Sequence, residues 1–378
     1  MDIRVKQRTA LSIFFFLSGF CFSTWASRIP TIKSFFGFNE AELGSVLLAM
    51  PISSMIGLPI SGWLVSKFDS RKPLFFSFIL FSISLIFIGY AQTPFFLICA
   101  IAMFAFFMRI LNIAVNTQSI TLQRKFDKKI IGSFHGLWST GGLSGVGFST
   151  LMVKFNIGIG QHMLMVAILT LVITLFAYPY LIKHDKAPTG NKLILGKPDP
   201  FILYLGILVF FAAVCEGGMY DWSGVYFREV VKVEIFTYGY LIFMACMALS
   251  RFFSDKIIEN IGMEKTYIIS ASFIAIGVLT AIIFPNFWSS MIGFCLIGFG
   301  TSSVFPMTFA LAGTSSKYSP GMAMSIIGTY GILGMLIGPP LIGYLAHAFN
   351  LKISFITFII SGLMLIPISQ LFFKLQKK

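Results

Sequence analysis

Three polar side chains, Arg109, Asn112 and Asn116, interrupt the apolar stretch FAFFMRILNIAVNTQ at residues 104–118. Their spacing of three and four residues places them on one face of a helix. A planar guanidinium beside two amides is suited to gripping a carboxylate or a pair of hydroxyls. A cation in hydrocarbon is costly and is expected to have a partner or a function. The pattern therefore predicts a face that binds a polar solute inside an apolar helix.

A second charge, Glu216, lies in the apolar stretch VFFAAVCEGGMY, and Tyr220 shares its helical face one turn further on. Arg109 lies about 18 Å and Glu216 about 24 Å from the expected cytoplasmic end of its helix, so both are near mid-membrane. Two interpretations of each residue remain open. Arg109 either binds an anionic or hydroxyl-rich solute, or is neutralised by Glu216 or by helix-end carbonyls and only joins two helices. Glu216 either couples transport to protons or is the structural partner of Arg109.

Two further residues are candidates for contact with a solute. Trp25 either stacks on a sugar ring or anchors its helix at the membrane interface. Ser302 precedes the helix-disrupting Pro306 in the segment GFGTSSVFP, which predicts either a break that contacts the solute or a simple kink.

The composition is typical of a membrane protein. Of the 378 residues, 57% are apolar and only 11% are charged, and the mean hydropathy is +0.87; soluble domains carry about 25% charged residues. The net charge of +14 comes from basic residues between apolar spans, which favours a topology signal over a nucleic-acid partner. Five cysteines, all in apolar stretches, do not suggest a disulfide framework.

The chain contains twelve stretches long enough to span a bilayer. They lie at roughly 9–28, 42–65, 74–92, 94–120, 134–154, 161–182, 200–224, 237–258, 264–284, 287–312, 320–346 and 352–373. The fold class expected is an all-α membrane protein with twelve transmembrane helices in two pseudo-symmetric six-helix bundles. These bundles are residues 1–183 and 200–378, joined by a cytoplasmic linker at 184–199.

Two observations support this organisation. The segments SFHGLWSTGGLSG and SIIGTYGILGMLIG match at an offset of 192 residues, which indicates repeated halves. If the N-terminus is cytoplasmic, 21 of the 28 Lys and Arg residues fall on the cytoplasmic side, so both termini are predicted to face the cytoplasm.

The loop GWLVSKFDSRK resembles motif A of the major facilitator superfamily, G-x-L-x-D-R-x-G-R-[KR]. Ser66 stands where the motif has Asp, and Asp69 where it has Gly. The positions that fit are Gly62, Leu64, Lys67, Arg71 and Lys72. More narrowly, FHGLWSTGGLSG, NIAVNTQ and EGGMYDWSGVYF resemble the YbjJ-like branch, which is related to the fucose permease. Asn112 stands where that branch often has Asp, so the coupling residues of these relatives do not carry over.

The resemblance implies a cytoplasmic gate held by charge pairs. It assigns gating roles to Lys67, Asp69 and Arg71 in the first half. In the second half, SRFFSDKIIENIGMEK looks like the matching loop and assigns Arg251 and Asp255. The Ser at position 66 puts the usual pairing of this latch in doubt.

The function expected is a secondary active transporter that moves a small polar solute, anionic or sugar-like, by alternating access, driven by protons. The alternatives are an exporter of drugs or other amphiphiles with the same fold, or a non-transporting membrane scaffold or sensor. The sequence has no phosphate-binding G-x-x-x-x-G-K-[ST], zinc-ligand spacing or G-x-S-x-G, so no enzyme activity, cofactor, metal site or nucleic-acid partner is expected. The protein is expected to be a monomer in the inner membrane of a bacterium, in contact with lipid, its solute and protons.

Overall fold

The computed structural model describes residues 2–126, 130–183, 185, 199–318 and 320–376, without the side chains of 131, 252, 254, 255, 320 and 321. All regular secondary structure in these described residues is helical. The chain divides by its internal contacts into two compact units. Unit 1 comprises Met1–Thr31 with Val46–Lys192, and unit 2 comprises Ile32–Ser45 with Leu193–Lys378.

The described residues of the first half of the chain form eight α-helices and one short 3₁₀ turn. They are α1 (Ile3–Ser27), α2 (Ile29–Phe36), α3 (Glu40–Leu47), α4 (Ala49–Lys67), α5 (Arg71–Gly89), α6 (Pro94–Gln123), α7 (Ile131–Lys154) and α8 (Ile159–Ala177), followed by the turn Tyr178–Tyr180. Helix α6, which carries the predicted solute face, begins with a defined cap. Thr93 accepts a hydrogen bond from the Phe96 backbone N–H at 3.3 Å, and Pro94 occupies the first helical position.

In the second half, the residues that the structure describes also form eight α-helices. They are α9 (Pro200–Glu229), α10 (Thr237–Ile261), α11 (Met263–Ile283), α12 (Phe287–Ser302), α13 (Val304–Ala312), α14 (Pro320–Ala348), α15 (Leu351–Ser354) and α16 (Ile356–Gln376). Helix α9, which carries Glu216, begins as α6 does. Asp199 accepts from the Ile202 N–H at 2.9 Å, and Pro200 is the first helical residue.

Ten helical segments of the described chain are long and apolar enough to cross a membrane, so the protein is a multi-pass membrane protein. Four of these ten segments consist of two α-helices: α1 with α2, α3 with α4, α12 with α13, and α15 with α16. Two of the twelve predicted spans, 134–154 and 237–258, fall on α7 and α10, which are helical but outside this set of ten. The reason is local composition, since α7 is rich in Gly and Ser and α10 carries several charged residues near its end.

Glycines bring the first and fifth long helices of each half into backbone contact. In unit 1, a Cβ added at Gly141 of α7 would lie 1.9 Å from the Phe16 carbonyl oxygen of α1. In unit 2, a Cβ added at Gly334 of α14 would lie 2.5 Å from the Phe210 carbonyl oxygen of α9. The glycine-rich segments that repeat in the sequence therefore form the same kind of helix contact in each unit.

Candidate solute-binding site

Helix α6 presents the predicted polar face within unit 1. Arg109 is mostly buried, and its Nε donates a hydrogen bond to Ser54 Oγ of α4 at 2.8 Å. The helices approach closely here because Gly57 has no side chain; a Cβ at that position would lie 3.3 Å from the Arg109 Cβ. Asn116 Nδ2 donates to the Asn112 backbone oxygen at 2.7 Å. The Asn112 side-chain amide therefore remains on the partly exposed face with the guanidinium.

A buried ionic cluster lies within unit 2 around Glu216, whose side chain is 9% exposed. Arg251 Nη2 of α10 lies 3.3 Å from Glu216 Oε1, and the Tyr220 hydroxyl donates to the same oxygen. The other carboxylate oxygen, Oε2, is buried without a hydrogen-bond partner in the described part of the chain. Tyr220 in turn packs edge-on against Tyr240 and Phe243, with ring centroids 5.9 Å away in each case. The cluster is thus an ion pair inside an aromatic shell.

The break between α12 and α13 supplies the third wall of this cluster. Arg251 Nε donates to the Ser302 backbone oxygen at 3.4 Å. The Ser302 hydroxyl donates to Ser250 Oγ at 2.8 Å. The helix is interrupted at Ser303, three residues before Pro306, which agrees with the expected disruption of this segment. The break frees a carbonyl for the guanidinium, so Ser302 supports Arg251 through its backbone.

Trp25 is a buried residue of unit 1. Its side chain is 1% exposed and packs against Phe104, with ring centroids 6.2 Å apart. Its Nε1 is buried without a partner among the described residues. A packing residue with an unused donor describes it better than an interface anchor.

The loop that resembles motif A is held within unit 1 by cation–π and carbonyl contacts. Lys67 Nζ lies 4.8 Å from the centre of the Trp63 ring. Arg71 lies 4.3 Å over the Tyr178 ring and donates to the Tyr178 backbone oxygen at 3.2 Å. Asp69 accepts from the Lys72 backbone N–H at 3.3 Å, so it caps the start of α5. These contacts tie the loop to the end of α8.

Of the two gating residues expected in the second half, the structure describes the side chain of Arg251 but not that of Asp255. Arg251 lies well inside α10, which continues to Ile261, so the segment that resembles a loop is helical there. It forms an ion pair with the buried Glu216 of α9. The side chain of Asp255 lies outside the described residues.

Segment 32–45 packs within unit 2 although the chain on both sides of it belongs to unit 1. Lys33, which is 8% exposed, bonds the Glu40 carboxylate at 3.0 Å and also the Glu229 carboxylate at the end of α9. Ser45 Oγ and Tyr344 Oη are 2.9 Å apart. Close backbone packing adds to these polar bonds, since a Cβ at position 343 would lie 2.5 Å from the Glu40 carbonyl oxygen.

The fold agrees with a family comparison. The model of the Major Facilitator Superfamily matches residues 11–316 and 240–378. The chain belongs to this superfamily. An uncharacterised transporter of the superfamily from Yersinia pestis is 28% identical over 353 residues, which is 93% of this chain and 92% of that protein. The membrane protein MosC of Rhizobium meliloti is 30% identical over 371 residues, 97% of this chain and 89% of its own length.

Solved structures share the fold of the superfamily. A bacterial homologue of the human lysosomal transporter Spinster, crystallised inward-facing and unoccupied, matches with a TM-score of 0.78 at 14% identity, covering 99% of this chain and 98% of that one. The nucleoside transporter NupG matches with a TM-score of 0.74 at 15% identity, covering 100% of both chains. At these identities the likeness concerns the fold, and the protein is a major facilitator transporter on the strength of the family match and its relatives.

Sequence reasoning missed two groups of this superfamily member. The resemblance assigned Arg251 a gating role, and its pairing with Glu216 was not foreseen, although its position inside a predicted span signals an intramembrane charge. Lys33, Glu40 and Glu229 were not singled out, because charges near helix ends are common and their pairing joins segments almost 200 residues apart. No local pattern could have revealed that pairing.

Proposed function

We propose that the protein is a secondary active transporter that moves a small polar solute by alternating access and couples this movement to protons through Glu216. The observation that carries the proposal is the buried carboxylate of Glu216. It accepts a hydrogen bond from Tyr220, one turn away on α9, and pairs with Arg251 on α10. Intramembrane ion pairs of this kind mark proton and solute pathways in transporters.

The cluster has the parts that a proton switch needs. A proton on Glu216 removes the charge that holds Arg251, and the guanidinium is then available to an anionic or hydroxyl-rich solute. Without the proton, the carboxylate retains Arg251 and competes with that solute. The unpartnered Oε2 is the atom of the carboxylate at which a proton can be accepted without breaking a hydrogen bond. Arginine itself stays protonated in proteins and cannot carry the coupling step.

Solute binding in unit 1 is assigned to Arg109 with Asn112 and Asn116. The hydrogen bond to Ser54 occupies Nε and fixes the plane of the guanidinium. A guanidinium has five N–H donors, so the terminal nitrogens remain to form a bidentate contact with a carboxylate or two hydroxyls. This chemistry supports a polar solute and disfavours a purely apolar one.

Segment 32–45 is bonded within unit 2 through Lys33, whereas the helices on either side of it, α1 and α4, belong to unit 1. The remaining parts of the proposal are bundles at 1–183 and 200–378 with a cytoplasmic linker between them, cytoplasmic termini, a monomer, and a bacterial inner membrane.

Transport by purified protein in liposomes tests the coupling. Once a solute is identified by a binding screen, Glu216→Gln is expected to abolish accumulation driven by a pH gradient while solute exchange continues, since exchange moves no net proton. The matched control is Glu234→Gln, which neutralises an exposed carboxylate of unit 2 and is expected to behave as the native protein. Native pH dependence in Glu216→Gln would show that protons are coupled elsewhere, and loss of exchange as well would make Glu216 a binding or structural residue.

A further inference from the structure

A groove opens on unit 1 between α4, α5 and α6, away from the polar face of α6. Its volume is about 270 Å³. Its walls are apolar side chains of all three helices, among them Leu64, Phe76, Leu80 and Ile110. Phe76 is 59% exposed, and an exposed apolar side chain on a membrane-spanning helix faces lipid.

The groove has almost no polar surface of its own. Its one hydroxyl, that of Ser77, donates to the Leu74 backbone oxygen at 3.1 Å and is satisfied within α5. A polar solute would therefore lose its hydration here without finding new partners. An extended hydrocarbon chain has no hydrogen bonds to water to lose, and it gains van der Waals contact with the aromatic and aliphatic walls.

The length of the groove fits one leaflet. Lys72 and Leu80 mark its two ends on α5, and eight residues of helix span about 12 Å. Half of a hydrocarbon core of about 30 Å is about 15 Å. An acyl chain that begins at the headgroup level beside Lys72 would therefore follow the groove through most of its leaflet.

The charged end of the groove favours an anionic headgroup. Lys72 is the charged residue of the lining, and its side chain is exposed. Lys67, also exposed, lies close by over the Trp63 ring, at the other end of the short α4–α5 loop. The Arg71 guanidinium is held by the ring and the backbone oxygen of Tyr178. The acidic residue of this loop, Asp69, is bonded to a backbone N–H.

We propose that this groove binds one anionic phospholipid from the leaflet on the predicted cytoplasmic side, with an acyl chain along α5 and the phosphate at Lys72. The site is separate from the solute site and does not depend on which solute is moved. A basic residue near an anionic membrane surface raises affinity about fivefold. The same preference for anionic over zwitterionic lipid is expected at this groove.

Fluorescence quenching by brominated lipids tests the proposal, because Trp63 is 53% exposed and stacks edge-on against Phe68 of the groove wall. The signal of this residue is obtained as the difference between the native protein and Trp63→Phe in liposomes of mixed lipid. Brominated phosphatidylglycerol is expected to quench it with about fivefold higher affinity than brominated phosphatidylcholine. Lys72→Gln is expected to bring this ratio close to one.

Two further variants separate the groove from general surface charge. Lys125→Gln removes an exposed lysine elsewhere in unit 1 and is expected to leave the ratio unchanged. Leu80→Phe narrows the far end of the groove and is expected to weaken phosphatidylglycerol quenching with Lys72 intact. Equal affinities for the two lipids in the native protein, or a ratio that Lys72→Gln does not alter, would overturn the proposal. Unchanged quenching in Leu80→Phe would overturn the assignment of the chain to the groove.

Discussion

The pair formed by Glu216 and Arg251 makes an asymmetric prediction, because the two side chains are buried to different degrees. The Glu216 side chain is 9% exposed and that of Arg251 25%. Among the described residues, replacing Arg251 with Met leaves the buried carboxylate with the Tyr220 hydroxyl as its donor. Breaking a buried ion pair in this way costs about 3–5 kcal/mol, and the remaining hydrogen bond places Arg251→Met near the lower end, at about 3 kcal/mol.

Replacing the other member of the pair, Glu216, is expected to lower the free energy of unfolding by less. Glu216→Gln retains an oxygen that accepts from Tyr220, and Arg251 keeps the Ser302 carbonyl contact as well as access to solvent. The expected cost is about 1 kcal/mol, the size of one net hydrogen bond. In the double variant no charge is left unpaired, so it is expected to be about 1–2 kcal/mol more stable than Arg251→Met alone.

The measurement is reversible denaturation of the native protein, the two single variants and the double variant in one detergent, followed by tryptophan fluorescence or circular dichroism. It gives the change in the free energy of unfolding for each variant, and from these the interaction energy between the two side chains. Ligand binding is absent from the experiment, so the result reports the ion pair itself. Equal costs for the two single variants, or a double variant that costs their sum, would refute the reasoning that the buried carboxylate is compensated by Arg251.

Three further outcomes are expected. Lys33→Met removes the bonds to Glu40 and Glu229, so alkylation of Leu43→Cys, at a residue that is 1% exposed, should become faster, and an unchanged rate would show that these bonds do not hold segment 32–45 on unit 2. Gly141→Ala should destabilise the protein by about 1–3 kcal/mol because its Cβ meets a carbonyl oxygen, whereas Gly147→Ala, with open space, should stabilise it by about 0.5–1 kcal/mol; thermal unfolding of both checks the opposite signs. Burial raises the pKa of Asp185 in the folded protein, despite its bonds to a serine, so its contribution favours the folded state more as the pH falls from neutral toward the unfolded pKa. The free energy of unfolding should therefore rise less on acidification in Asp185→Asn than in the native protein. Equal pH profiles of unfolding for the two proteins would contradict this prediction.

Much of the fold follows from local sequence. Apolar length and charge placement are local properties, so each of the twelve predicted spans falls on helical residues of the described chain, and ten of them fall on segments long and apolar enough to cross a membrane. The caps of α6 and α9 were equally local, because a capping side chain and a proline act within one turn. The polar face of Arg109, Asn112 and Asn116 follows from helical spacing alone. What that spacing left open was the partner of each charge.

Partners are set by which helices become neighbours, and this depends on packing between distant segments. Glu216 has Arg251 as its ion-pair partner, 35 residues away on the next long helix. Trp25 is buried against Phe104, although its position near a helix end is typical of an interface anchor. In each case the side chain itself was evident in the sequence, and only the surrounding helices decided what it contacts.

The sequence by itself determined that this is a helical membrane protein with buried charges on identifiable helix faces, since hydrophobic length, charge and periodicity are written residue by residue. Only the tertiary structure decided that segment 32–45 packs with unit 2 and that the glycines of α7 and α14 meet the carbonyls of α1 and α9. Those contacts join residues far apart along the chain. Their energies depend on shape and on the exclusion of other partners, which no local pattern of residues encodes.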